Sequence, residues 1–396
     1  MTWSSHKNDE RNTRTPTGPV FYNSKNKLSV LFQCHGSIWP KVFPWCFANI
    51  VFMIVLTLLE SNYNVNFIGE SPLGHKFLGL IVSFLIVYRV SSALSRYLLY
   101  QNHLTTLLMQ TRELVQKAIV FSRRNKNNDQ AAKEWRSEIA YRCLLVTRTT
   151  AAIAEYPVSK IAAYEIPELS AQELEFCTPD HAFMRHAEIP YGKGLDSFRV
   201  PLKVAQLLRE TICSQEERLA HPMIIHQEMS LLASVDLFLS GYYGIRSLMM
   251  TPVPFPLIQM AHTMGLLYVY TLPFVFLKHT NGNLFEDCFN IFMLTYGFVG
   301  LILVSEELDD PFGDDANDLD VTAYAGFAAD DVVIMIHDAD GVQWADALRY
   351  KMNENVSKPI NETTGLLPTR SEGLTKNKSI HLSNRQSRQS IPDWML

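Results

Sequence analysis

The residues best suited to bind an ion lie in a short acidic stretch, residues 306–318, which interleaves carboxylates with Pro, Phe and Gly at 311–313. Calcium takes about six to eight oxygen ligands from carboxylates and carbonyls. Pro and Gly favour the tight turn that would bring such carboxylates together. The stretch is therefore either a candidate calcium site or an acidic surface turn that caps a helix. An EF-hand is excluded, because the acidic spacing that its loop requires is absent.

A second candidate feature is an apolar face. Leu80, Phe84 and Tyr88 are spaced i, i+4 and i+8, so they share one side of a helix. Rings of such residues around a pore would form a dry constriction that gates by dewetting and favours anions that lose water easily. Tyr88 differs, because its hydroxyl can hold water. An apolar stripe on a membrane helix also has a plainer explanation, namely packing against neighbours.

Composition and patterning indicate which elements position these residues. Of the 396 residues, 47% are hydrophobic and only 19% are charged, below the roughly 25% of ordinary soluble domains. The chain is predicted to be an all-α polytopic membrane protein with four transmembrane helical segments. Prolines in the third segment predict a broken helix, which is tolerated where protein or water covers the backbone. The four predicted spans are residues 42–59, 75–99, 247–277 and 288–305.

Two arginines interrupt the second span, Arg89 and Arg96. A charge in the lipid core is costly unless it reaches water or a partner. Each arginine is therefore either a residue that reaches the membrane interface or forms an ion pair between subunits, or a fixed positive charge near an anion path. His262 lies in the third uncharged run with no second ligand at a suitable spacing, which predicts a packed, hydrogen-bonded residue.

Basic residues determine the predicted topology. They are concentrated in the arm at residues 1–27 and at the start of the region 100–240, which the positive-inside rule places in the cytosol. Both termini are then cytosolic, with the plasma membrane favoured. The region 100–240 has apolar residues at helical spacing and is predicted to be a cytosolic helical region. A further cytosolic segment follows at 326–352, after the acidic stretch, and residues 353–396 are predicted to be disordered.

Several local strings together resemble the bestrophin family over residues 28–325. The most specific is DPFGDDANDL at 310–319, directly after the fourth span. GSIW at 36–39 precedes the first span, LIVSFLIVYR at 80–89 lies in the second, and TPVP at 251–254 is followed by TLPF at 271–274.

The resemblance implies a homopentamer in the lipid membrane, with a central pore that conducts chloride and other small inorganic anions. The second span would line a narrow neck whose rings are Leu80, Phe84 and Tyr88. The net charge of −5 gives no indication of a nucleic-acid partner.

The resemblance also implies a calcium ion bound after the fourth span, by a clasp that gates the pore in several animal members. The matching residues are Glu307, Asp310, Asp315 and Asp318, with a backbone carbonyl near Val20 as a further ligand. Vertebrate members carry Gln and Asn where this chain has Glu307 and Asp310, so the site here would be more acidic.

Other functions stay open from the residues alone. A secondary transporter would suit the proline-broken third run, although no inverted repeat is visible and no predicted span carries an internal carboxylate. A non-conducting membrane scaffold is a further alternative. The chain is predicted not to be an enzyme, since neither H-E-x-x-H nor G-x-S-x-G occurs.

Overall fold

A computed structural model describes residues 20, 25, 27–63, 72–124, 129–178, 197–279, 283–313 and 315–354. Within these ranges the regular structure is helical, which confirms the all-α fold class. The predicted arm, apart from residues 20, 25 and 27, lies outside the described residues, as does the predicted tail beyond residue 354.

The described helices include two consecutive pairs of long apolar ones, separated by helices of mixed polarity. In chain order they are α1 (Lys27–Phe32), α2 (Trp39–Tyr63), α3 (Pro72–Phe121), α4 (Gln130–Ala154), α5 (Tyr156–Ser159), α6 (Ala171–Cys177), α7 (Val200–Cys213), α8 (Gln215–Arg218), α9 (Ile225–Met250), α10 (Phe255–His279), α11 (Leu284–Asp309), α12 (Val321–Asp340) and α13 (Val342–Glu354).

Four of these helices are long and apolar enough to cross a membrane, as predicted. Their candidate spans are Trp39–Asn62, Leu73–Phe121, Phe255–Leu277 and Leu284–Asp309. The helices α2, α3 and α11 extend beyond both ends of their predicted spans, because charged residues at the membrane surface do not interrupt the helical hydrogen bonds. The largest extension is in α3, which continues from the predicted span into the predicted cytosolic helical region 100–240.

The third span differs from its prediction at its start. Residues 247–250 form the last turn of α9, and residues 251–254 are not helical. Proline has no backbone N–H and disfavours helix in the residue before it, so the Pro-rich string separates two helices. The span itself begins at Phe255. The predicted break therefore lies at the start of the run, between α9 and α10, whereas α10 continues through Pro273.

The helices divide into two compact units. The first comprises residues 3–109 and 237–324 and contains all or most of each candidate span. Its core packs α2, α3, α10 and α11 through buried apolar side chains that include Met53, Ile86, Val269 and Ile302. Asn49 ties three of these helices together, since its amide donates to the Thr295 hydroxyl at 2.8 Å and to the Val269 carbonyl at 3.2 Å.

The second unit comprises residues 110–236 and 325–354 in its described part. Its central element is α4, which packs against α7 and α13. Trp135 is fully buried on α4 and donates to the Thr211 carbonyl at 2.8 Å. Arg136 of the same helix forms a buried pair with Asp340, so α12 is held against α4 by charge as well as by packing.

Candidate functional site

The predicted neck residues lie on one exposed face of α3. Leu80, Phe84 and Tyr88 are 69%, 75% and 54% exposed, whereas Val82 and Ile86 on the opposite face are buried. The structure thus places the three side chains on one exposed face of the subunit. Its assignment to a pore stays a prediction.

Close packing on the other side of α3 fixes which face is exposed. A Cβ atom on Gly79 would lie 2.6 Å from the Tyr268 hydroxyl, so α3 approaches α10 at a point where only glycine fits. His75, one turn earlier, stacks on the Tyr268 ring with centroids 4.4 Å apart. These contacts turn the buried side of α3 inward and leave the apolar face of Leu80, Phe84 and Tyr88 outward.

The two arginines of α3 both have partners within the chain. Arg89 is 1% exposed and makes a two-bond ion pair with Asp309, the last residue of α11. Arg96 donates to the carbonyls of Leu248 and Thr251, both at 2.9 Å, and so caps the end of α9. Arg89 thus forms an ion pair, but within one chain rather than between subunits as the pairing alternative expected. A buried Arg89 does not present its charge on the exposed face.

Residues 307–319, here called the acidic turn, fold back on Gly313. The Leu319 amide donates to the Pro311 carbonyl at 2.8 Å, which closes the turn. A Cβ atom on Gly313 would lie 2.7 Å from an Asp318 carboxylate oxygen and 3.3 Å from one of Asp310. Burial raises the pKa of Asp318 to about 8, and the negative charges of Asp310, Asp315 and Glu307 add to that effect. Asp314 lies outside the described residues.

The acidic turn is attached to the segment before the first span. The Asn317 side-chain amide donates to the Gly36 carbonyl at 3.1 Å and to Glu307 Oε1 at 3.4 Å. Gly36 has a φ of +68°, and a Cβ atom there would lie 2.5 Å from Val20 Cγ2. Val20, Gly36, Glu307 and Asn317 line one cavity of about 380 Å³. The structure therefore brings Val20 next to the acidic turn, as expected from the resemblance.

The acidic turn also contacts α3, the helix that carries the candidate neck. The Tyr97 hydroxyl donates to the Asn317 carbonyl at 3.3 Å. The Tyr100 ring packs edge-on against Phe312, with centroids 5.0 Å apart. Tyr97 lies nine residues along α3 from Tyr88, so the acidic turn directly contacts the helix that carries the candidate neck.

The structure does not arrange the four predicted calcium ligands as a set that could hold one calcium ion. Lys41 Nζ lies 3.3 Å from an Asp315 carboxylate oxygen and 3.5 Å from Glu307 Oε1. The Asp315 amide donates to the Asp318 carboxylate at 2.6 Å. No group of three or more His, Cys, Asp or Glu side chains in the described ranges is arranged to hold a metal ion. N–H groups of the chain donate to carboxylate oxygens that would otherwise bind calcium. In this arrangement the four carboxylates therefore do not fit a calcium ion.

His262 has a carboxylate partner that sequence spacing did not reveal. Its Nε2 atom lies 2.5 Å from Glu306 Oε1, and its Nδ1 atom lies 2.8 Å from the Ile258 carbonyl. His262 lies on α10 and Glu306 on α11, so the packing of these helices joins two residues that are forty-four positions apart in the sequence. The predicted packed, hydrogen-bonded role of His262 is thus confirmed, with Glu306 as the added partner.

The geometry defines a helical membrane protein whose second span exposes an apolar face and contacts an acidic turn. Residues 20–333 match the family described as Bacterial/Fungal Bestrophin protein. The chain therefore belongs to the bestrophin family, as its motifs predicted.

Similar proteins include channel-forming proteins of bacteria. The voltage-dependent anion channel-forming protein YneE of Salmonella typhi is 20% identical over 315 residues, which cover 79% of this chain and 92% of that protein. The protein of the same name from Escherichia coli is 21% identical with the same coverage.

Solved structures share the fold. The crystal structure of a bacterial bestrophin homologue from Klebsiella pneumoniae superposes with a TM-score of 0.58 at 17% identity, covering 74% of this chain and 97% of that one. A single-residue variant of the Klebsiella homologue gives a TM-score of 0.60 at 18% identity, with 74% and 98% covered. The likeness confirms the predicted fold.

Proposed function

We propose that this chain is a subunit of a homo-oligomeric channel that conducts chloride and other small monovalent anions. The observation that carries the proposal is the exposed apolar face of Leu80, Phe84 and Tyr88 on α3. Membership of the bestrophin family supports it, as do the relatives named anion channel-forming proteins.

One helix face cannot enclose a pore, so the proposal requires several copies of the chain. With five copies, the number that the family resemblance implies, each neck residue forms a ring. An apolar constriction excludes bulk water and admits ions that shed their hydration shell at low cost. The neck should therefore pass iodide and thiocyanate more readily than chloride.

The arrangement of charge within the spans favours a channel over a coupled transporter. Among the described residues of α10 and α11, the carboxylates lie at the ends of α11, at Glu286 and Asp287 and again at residues 306–309. A proton-coupled carrier places titratable acids at the middle of its spans. A passive pore requires none there. The family and its anion channel-forming relatives also support a channel rather than an enzyme.

The topology follows from the number of spans and the distribution of basic residues. Four spans return the chain to the side on which it began, and the positive-inside rule makes that side cytosolic. Both termini are then cytosolic, and the exposed apolar surfaces of the spans face membrane lipid or a neighbouring subunit. The plasma membrane is the favoured location.

Purified protein in a planar bilayer tests the proposal. We expect discrete single-channel currents that reverse at the equilibrium potential of the anion. Replacing Leu80, Phe84 and Tyr88 together with Ala should increase conductance and weaken selectivity among anions, because the constriction widens and becomes wet.

The matched control replaces exposed apolar residues on a different span. Phe47 and Leu58 of α2 are 59% and 55% exposed, and their replacement by Ala removes similar apolar area from a membrane helix. Conductance should stay unchanged in that control. The absence of any current would refute the channel. Equal effects of the α3 substitutions and the α2 control substitutions on conductance would place the constriction elsewhere.

A further inference from the structure

Lys41 contacts two of the four carboxylates that are expected to bind calcium. Lys41 lies in the first turn of α2, and its ammonium group bridges Asp315 at 3.3 Å and Glu307 at 3.5 Å. Glu307 lies in the last turn of α11, the fourth span, and Asp315 lies in the turn beyond it. A single positive charge thus connects the start of the first span with both parts of the acidic turn.

Two further N–H groups act on the same carboxylates. The Asn317 amide contacts Glu307 Oε1, the oxygen that faces Lys41, and the Asp315 amide donates to Asp318. Calcium binds through oxygen lone pairs, whereas N–H groups occupy those lone pairs with hydrogens. Three of the four carboxylates expected to bind calcium therefore accept from nitrogen donors of this chain.

We propose that Lys41, rather than a bound calcium ion, is the cation that orders the acidic turn in this protein. A tethered ammonium is present at every calcium concentration, so the contacts from the turn to Tyr97 and Tyr100 of α3 persist without a ligand. Lys41 is a positioning residue in this scheme, because it acts on the neck helix through the turn. The proposal concerns cation binding and is measured independently of conduction.

The first test measures calcium binding to purified protein in nanodiscs by titration calorimetry. Terbium luminescence provides a second readout, since Trp39 lies two residues from Lys41 and can sensitise the ion. Wild type should show no saturable binding below millimolar calcium. Lys41→Met keeps the apolar stem and removes the ammonium. We expect it to bind calcium at least about tenfold more tightly than wild type, within the range typical of coupled binding events.

Two variants distinguish the loss of the Lys41 charge from a general disruption of the fold. Lys41→Arg retains a cation and should exclude calcium as wild type does. The double variant Lys41→Met with Asp315→Asn removes a candidate ligand and should lose the binding that the single variant gains. Micromolar calcium binding by wild type would overturn the proposal, as would a Lys41→Met protein that folds and gains no affinity.

Hydrogen exchange on the wild-type protein keeps the proposal testable if Lys41→Met does not fold. The amides of residues 310–319 should be equally protected in chelator and in millimolar calcium. Protection that appears only when calcium is added would show that the ion, and not Lys41, orders the turn.

Discussion

The guanidinium group of Arg89 and the carboxylate of Asp309 form a two-bond ion pair between the middle of α3 and the end of α11. The Arg89 side chain is 1% exposed, and that of Asp309 is 24% exposed. Asp309 immediately precedes the Asp-Pro-Phe-Gly string, so the pair holds the first part of the acidic turn against the neck helix.

Replacing Arg89 with Met should destabilise the folded protein. A buried ion pair that loses one partner leaves the other charge without compensation, which costs about 3–5 kcal/mol when both are buried. Because Asp309 is partly exposed, we expect about 2–3 kcal/mol here. Thermal unfolding in detergent, followed by the loss of the oligomer peak, measures the change.

The double variant Arg89→Met with Asp309→Leu is the control for this prediction. It removes both charges, so it should recover a large part of the lost stability. Arg89→Lys should be intermediate, since an ammonium group cannot reproduce the two parallel bonds of guanidinium. Equal stability of Arg89→Met and wild type would show that the pair does not hold the helices together.

Gly313 is expected to be essential for the shape of the acidic turn. A methyl group there would lie 2.7 Å from an Asp318 carboxylate oxygen and 3.3 Å from one of Asp310, so Gly313→Ala must displace the side chains that surround it. Overpacking of this kind costs about 1–3 kcal/mol. Hydrogen exchange should show weaker protection of residues 310–319, and thermal unfolding should occur at lower temperature.

Gly297→Ala provides the matched control for Gly313→Ala. Gly297 lies within α11, and a Cβ atom there would meet nothing within 4 Å in the subunit. Alanine is favoured over glycine inside a helix by about 1 kcal/mol. The control should therefore be neutral or slightly stabilising. A turn whose protection is unaffected by Gly313→Ala would contradict the close packing of Asp318 against it.

Hydrophobic patterning predicted the spans well because uncharged runs of sufficient length have few alternatives to a membrane helix. It misplaced the ends of the helices where a helix and its uncharged run do not begin or end at the same residue. Residues 39–41 and 60–63 belong to α2 although they include Lys41 and Glu60, since the helical hydrogen bonds continue past the lipid boundary. The opposite error occurred at 247–250, where an apolar run crosses the break between α9 and α10.

Local spacing predicted the neck face but not the partners of the acidic turn. Leu80, Phe84 and Tyr88 lie within nine residues, and helix geometry alone places them together. Lys41 is 274 residues from Asp315, and only the packing of the first span beside the fourth brings the two into contact. The pairing of His262 with Glu306 was missed for the same reason.

Glu138 should make the second unit sensitive to acid. Burial acts to raise the pKa of Glu138, but hydrogen bonds from Arg218 at 2.6 Å and Arg142 at 3.0 Å outweigh burial and lower it. Because the folded pKa is depressed, this carboxylate contributes its full stability above the ordinary value of 4.5 and loses it as pH falls through the lower folded value.

The variant Glu138→Gln measures that contribution. It should be less stable than wild type by about 1 kcal/mol at neutral pH, the upper range for partly exposed ion pairs. The difference should shrink as pH falls below the ordinary value, because the wild-type carboxylate becomes protonated. Glu134→Gln, at an exposed position on the same helix, is the control and should be neutral. A difference that is constant across the acid range would mean that the charge of Glu138 is not responsible.

Tyr88 carries the only hydroxyl among the three candidate neck residues, and it is exposed on the same face as Leu80 and Phe84. A hydroxyl can hold water in an otherwise apolar ring, which lowers the cost of wetting the constriction. Tyr88→Phe removes the oxygen and leaves the ring in place. We expect smaller single-channel conductance and a longer closed time, with thermal stability unchanged because the exposed hydroxyl supports no packing within the subunit. Tyr350→Phe, which removes an exposed hydroxyl from α13 in the second unit, is the matched control and should leave the currents unaltered. A Tyr88→Phe channel with wild-type conductance and gating would show that water at this ring does not limit the passage of anions.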